Sequence, residues 1–245
     1  YADATICARA VAAVAAAGIS GYATSSRIVI SGGANVTLLG RAEHEGATID
    51  ATARHYAATA AGMALFGPSS GAAAIVTITE DSVVTMLGAA VGMKATVHAS
   101  VMNYAASTLG IALHARNSQV EVSGKRTTLT VMGRVALGAT IGATSYTSSA
   151  AVGFTVYSST STASITMTKG ATVALLGMAS TNSTIYADSQ GHCAATVGIA
   201  EFARGASFTI SGGSTVTIIA WAASNASILT TSSYPGATAG IAVYA

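Results

Sequence analysis

The sequence predicts an all-β chain wound as a parallel β-helix (β-solenoid). Three observations carry this: a tandem repeat through the whole chain, short β-branched segments inside each repeat, and glycine-marked turns between them.

The repeat rests on three markers that recur in the same order. The Gly of "GIA" and its equivalents falls at Gly18, Gly62, Gly110, Gly153, Gly198 and Gly240, with intervals from 42 to 48. Segments such as "NVTLLG" and "TVALLG" end at Gly40, Gly88, Gly133, Gly177 and Ala220. The "ATI" marker places Thr5, Thr48, Thr96, Thr140, Thr184 and Ser227. The chain therefore reads as a single array over residues 1–245, with units near 18–61, 62–109, 110–152, 153–197 and 198–239 and partial units at both ends.

Each unit of about 44 residues holds four short apolar segments, and it is internally doubled. "IAEFARGASFTI" (199–210) aligns without gaps on "IAWAASNASILT" (219–230), which predicts rungs of about 22 residues paired into units of about 44. Alanine favours helices, but β-branched alternation ("TVTII", "IVTIT") and Gly punctuation argue for strands. Only Ala10 to Ala17 looks locally helical, and its place in the repeat favours a turn or strand. About eleven rungs at ~4.8 Å would make a rod on the order of 50 Å long.

Side-chain parity assigns the columns. Ile6, Ile49, Val97, Ile141, Ile185 and Ile228 form a uniform aliphatic column that should face inward. The mixed column one residue on, Cys7, Asp50, His98, Gly142, Tyr186 and Leu229, should face solvent. Four residues past each marker Gly stand Tyr22, Phe66, His114, Tyr157, Phe202 and Tyr244, an aromatic ladder. Stacked rings filling a corner of the core are the first reading, and a lateral contact surface the second. Strict alternation cannot bury both Ile199 and the ladder on one face, so a turn or bulge is expected between them.

Composition limits the function classes. Only 8% of residues are charged and 51% are hydrophobic, much of that alanine. The net charge of +2 is scattered, which gives no footprint for nucleic acid. The most apolar run, Ala10 to Ile19, is too short to cross a bilayer, so no membrane insertion is expected within this segment. A start at Tyr1, without an initiator Met or a leader, reads as a processed chain or a fragment.

No constellation points to catalysis, and the expectation is a chain with no enzymatic activity, no cofactor and no metal. Glu43, His44 and Glu45 form the best metal candidate, but neighbours on a strand point to opposite faces, so a solvated turn is the better reading. Rungs of 22 residues set Asp50 and His98 about 10 Å apart, too far for an acid–base pair. Lys125, Arg126, Arg134 and Arg116 read as ordinary turn solvation, and no Gly-x-Ser-x-Gly occurs. Cys7 and Cys193 would lie roughly 40 Å apart on such a rod, which excludes a bridge between them.

Three sequons, at Asn35, Asn182 and Asn225, are candidate N-glycosylation sites and agree with an extracellular or cell-surface setting. Thr37, Thr85, Thr130 and Thr217 share an outward column broken by Ala174. An ice-binding face would need paired Thr columns on every rung, and here one column recurs on alternate rungs.

The array begins at "YADATI" and stops at "GIAVYA", both within a unit. This reads as a longer array cut to this piece, or as ends that stack on other subunits. The pattern "AAxxxGIAxFA…SFTISGG-STVTIIA" resembles the β-helical ectodomain repeats of large cell-surface proteins, the dispersed gene family surface proteins of trypanosomes in particular. That resemblance implies an extracellular, glycosylated, adhesin-like rod with no catalytic residues to carry over. The expected function is a structural or adhesive solenoid, part of a surface protein or filament, whose partners are other subunits met end to end or laterally, and glycans. Its alternatives are a carbohydrate-binding or carbohydrate-cleaving β-helix and an ice-binding solenoid.

Overall fold

The computed structural model describes residues 5–10, 13–22, 25–42, 45–55, 57–66, 73–91, 93–158, 162–191, 193–203, 205–233 and 236–244. The first winding comprises β1 (Thr5–Ala10), β2 (Ala13–Tyr22), β3 (Ser25–Ile30) and β4 (Asn35–Ala42). The second comprises β5 (Thr48–Ala53), β6 (Ala57–Phe66), β7 (Ala73–Ile78) and β8 (Val83–Ala90). Next come β9 (Thr96–Val101), β10 (Ala105–His114), β11 (Asn117–Ser123) and β12 (Thr128–Val135). The fourth has β13 (Thr140–Ser145), β14 (Ser148–Tyr157), β15 (Thr162–Thr168) and β16 (Thr172–Ala179). The fifth has β17 (Thr184–Ser189), β18 (Ala194–Phe202), β19 (Gly205–Ile210) and β20 (Thr215–Ala222), and β21 (Ser227–Ser232) and β22 (Gly236–Tyr244) follow. The described residues contain no helix, and so none long and apolar enough to cross a membrane.

Every fourth strand pairs in parallel, which builds four sheets. Sheet A stacks β1, β5, β9, β13, β17 and β21, and sheet B stacks β2, β6, β10, β14, β18 and β22. Sheet C holds β3, β7, β11, β15 and β19, and sheet D holds β4, β8, β12, β16 and β20. The parallel β-solenoid is the fold the sequence predicts. The 22-residue rung is present as half a winding: 199–210 runs from the end of β18 through β19, and 219–230 from the end of β20 into β21. Vertical neighbours are a whole unit apart, as Thr48 is from Thr96. A six-stranded sheet therefore rises only about 24 Å from first strand to last, about half the length expected from 22-residue levels.

The inward column of sheet A stacks as parity demands. Ile49, Val97, Ile141 and Ile185 are register partners in turn, each at most 2% exposed. They join Leu109, Phe154, Met86, Leu129 and Ile165 in the main core. Because Val97 already occupies this column, Ile141→Val is expected to cost only about 1 kcal/mol, measured by urea unfolding.

Sheet B explains the alanine content. The ten residues of β10 would span about 33 Å if extended, yet the ring of Tyr104, just before it, lies 4.2 Å from that of His114 at its end. The strand doubles back on itself. Ala57, Ala64 and Ala112 fill the crease, which is too narrow for larger side chains. Ser107 Oγ donates to the Gly153 carbonyl at 2.8 Å, and Thr155 Oγ1 donates to the Ala106 carbonyl at 2.9 Å, stitching one level to the next. Thr108 drops out of the pairing together with Ala60 and Ala151 opposite it, so the register stays unshifted, and its hydroxyl donates to the Gly142 carbonyl of sheet A.

This fold-back corrects one expectation. No turn or bulge is needed between Ile199 and the aromatic ladder, because both faces of the inner sheet B strands β6, β10 and β14 are buried. The marker glycines lie at the bend, stacked from Gly18 to Gly240. At Gly110, φ is +129°, and an added Cβ would fall inside the Gly153 carbonyl.

Candidate functional site

The outer face of sheet A concentrates the polar chemistry. In β5 the alternation puts Thr48, Asp50 and Thr52 outward and Ile49, Ala51 and Ala53 inward. The same parity in β9 presents His98 and Ser100. Parallel register then sets Cys7, Asp50, His98, Gly142, Tyr186 and Leu229 in one row across the sheet.

The expected separation of Asp50 and His98 is overturned. They lie on adjacent strands, with His98 Nδ1 3.3 Å from Asp50 Oδ1, because one winding takes a whole unit and no level stands between them. Thr52 Oγ1 donates to Asp50 Oδ2 at 2.8 Å, and the Cys7 thiol points at the same oxygen from 3.8 Å. With Nδ1 carrying the proton toward Asp50, His98 Nε2 is free to accept from the Thr144 hydroxyl 3.4 Å away. Thr144 also lies 3.1 Å from Ser100 Oγ. Gly142 makes room beside His98: the Tyr186 ring lies over it, 6.3 Å from the imidazole between centroids. Burial, and then the nearby Asp188 carboxylate, push the Tyr186 phenol pKa up.

Hydroxyl, imidazole and carboxylate follow one another here in the order of a nucleophile relay. A relay also needs converging donors for an oxyanion, and the backbone N–H groups of β9 and β13 are spent on ladders with both neighbours. The row presents hydroxyl, imidazole and carboxylate groups along one face of the sheet. Beside it runs a groove of about 530 Å³ with Thr52, Ser100, Thr144 and Asp188 among its lining residues.

The other candidates fall elsewhere. Tyr22, Phe66, His114, Tyr157, Phe202 and Tyr244 are register partners in a single row. Phe66, His114 and Tyr157 are at most 8% exposed, so at these positions the row is core rather than lateral surface. The side chains of Tyr22, Phe202 and Tyr244 lie outside the described residues. His114 stacks on Tyr157 at 4.8 Å and meets Phe66 at 5.2 Å, and Tyr104, which the repeat markers do not reach, closes the cluster. Burial drives the His114 pKa down to about 3 and holds that of Tyr157 up at about 12, with Tyr104 adding to the latter.

Asn35, Asn182 and Asn225 are all exposed. Asn182 and Asn225 occupy equivalent turns with φ of 59° and 62°, a left-handed conformation that asparagine tolerates on its own account. Of the metal candidate, Glu45 is exposed in a turn, and Glu43 and His44 lie outside the described residues. Among the described residues no group of three His, Cys, Asp or Glu side chains is placed to hold a metal ion. The basic residues are not brought together: β11 separates Arg116 from Lys125 and Arg126, and most of β12 separates these from Arg134, spans of about 20 Å each.

Thr37, Thr85, Thr130, Ala174 and Thr217 are neighbours on successive strands of sheet D, rather than on alternate levels. Among the described residues of sheet D, paired threonines occur only on β12 (Thr128, Thr130) and β20 (Thr215, Thr217), and the next outward row is the aliphatic Leu39, Leu87, Met132, Leu176 and Ile219. The condition for an ice-binding face is not met. No disulfide joins Cys7 and Cys193, which stand four windings, about 19 Å, apart.

Fold and surface together define a parallel β-solenoid repeat protein with a polar groove on the outer face of sheet A. No known protein family, curated protein or solved structure matches the chain.

Proposed function

We propose that the chain is a structural or adhesive part of an extracellular surface protein or filament, without a catalytic role. The observation that carries this reading is the unshifted register at every level, from Thr5↔Thr48 to Thr184↔Ser227. Windings are interchangeable in such an array, so length is its free variable.

Exposed sequons, two of them on equivalent turns, support a glycosylated surface setting, as does the likeness in repeat texture to trypanosome surface proteins. Carbohydrate binding is a second reading, favoured by the hydroxyl-lined groove on sheet A. Electron microscopy and intact mass on the native material test the first reading. Rods longer than about 24 Å, carrying glycan mass, are the expected result. A compact monomer of 24.0 kDa with hydrolytic activity would overturn it.

A further inference from the structure

We propose that the groove on the outer face of sheet A binds a neutral carbohydrate chain lying along the solenoid axis, which supplies the ligand of the adhesive reading and rests on it. The groove crosses β5, β9, β13 and β17, about 14 Å in all. Each level contributes a polar side chain to one row: Thr52, Ser100, Thr144 and Asp188. Hydroxyls and a carboxylate repeated at every rung offer a donor or acceptor at intervals close to the rise of an extended pyranose chain.

The row is ordered before any ligand arrives. Thr144 and Ser100 are bonded to each other, Thr52 is bonded to Asp50, and Asp50 to His98. Binding then immobilises little that is not already held. The lining also includes Tyr146, 54% exposed, and Met102, 64% exposed, with Arg54 and Gln190 beside them. A flat apolar surface flanking hydroxyls matches the two-sided character of a sugar ring.

Other occupants fit less well. The lining charges, Arg54 and Asp188, cancel, which disfavours a polyanion. An extended peptide would seek an open backbone edge, and every strand under the groove is already paired on both sides.

The test is calorimetric titration of the purified chain with cellohexaose, xylohexaose, maltohexaose, mannohexaose and chitohexaose. Saturable binding of at least one sugar, with Kd in roughly the micromolar to millimolar range, is expected. Thr144→Val keeps the β-branch while removing the hydroxyl, and should weaken that binding about tenfold, as should Tyr146→Ala. Gln119→Ala on sheet C should leave it unchanged, with all three variants melting cooperatively. No saturable binding by any of the five sugars, or binding indifferent to both groove variants, overturns the proposal. A native rod that ignores all five sugars removes this inference alone and leaves the structural reading standing. Release of reducing ends from a bound sugar would instead remove the non-catalytic reading and leave the groove as the binding site.

Discussion

Gly110→Ala is expected to destabilise the fold by about 3–4 kcal/mol, a large effect for a single added methyl group. Two costs combine. The backbone at φ +129° is open to glycine and disfavoured for L-residues, and the new methyl would collide with the Gly153 carbonyl oxygen of the next winding. That oxygen belongs to a paired strand and cannot retreat without opening the ladder. Gly138→Ala is the control. It also has positive φ, +75°, but nothing lies within 4 Å of the added carbon, so only the conformational term of about 1 kcal/mol applies. Urea unfolding of both variants measures the difference, and equal losses would refute the close-contact account of the bend.

Acid should unfold the wild-type chain through His114. Burial holds its folded pKa near 3 against 6.5 for the free side chain, so only the unfolded state takes up the proton between these values. Stability is therefore unaffected by this group above pH 6.5. It falls by about 1.4 kcal/mol per pH unit below that, and levels off near pH 3. At pH 4.5 the loss amounts to roughly 2–3 kcal/mol. His114→Phe places in the row a ring already present at Phe66, its register partner, and removes the titration. The gap between variant and wild type should widen by that amount from pH 7.5 to 4.5, because the carboxylates titrate alike in both. Parallel stability curves would show that the imidazole is not held neutral.

Much of the architecture was legible in the residues, and the two largest misreadings share one cause. Markers such as Gly110 and Ile141 recur because each level must repeat the level below it, so tandem spacing reveals stacking directly. Within a unit, however, the two halves perform similar strand–turn–strand tasks on different sides of the core. Their likeness imitates a second set of levels. That imitation doubled the expected length and set Asp50 apart from His98, hiding the polar face. Residue identity reinforced the imitation: Gly110 finds glycine one unit away at Gly153, and also half a unit on at Gly133. The aromatic row was found in register, but parity could not anticipate a strand buried on both faces. Only the alanines at Ala57, Ala64 and Ala112 hint at the narrow crease.

The constancy of register at all levels reaches back to the gene. Slipped recombination between units would delete or duplicate whole windings, and each new junction would join surfaces that already fit. Populations could therefore carry shorter and longer alleles of equal foldability, with reach as the trait on which selection acts.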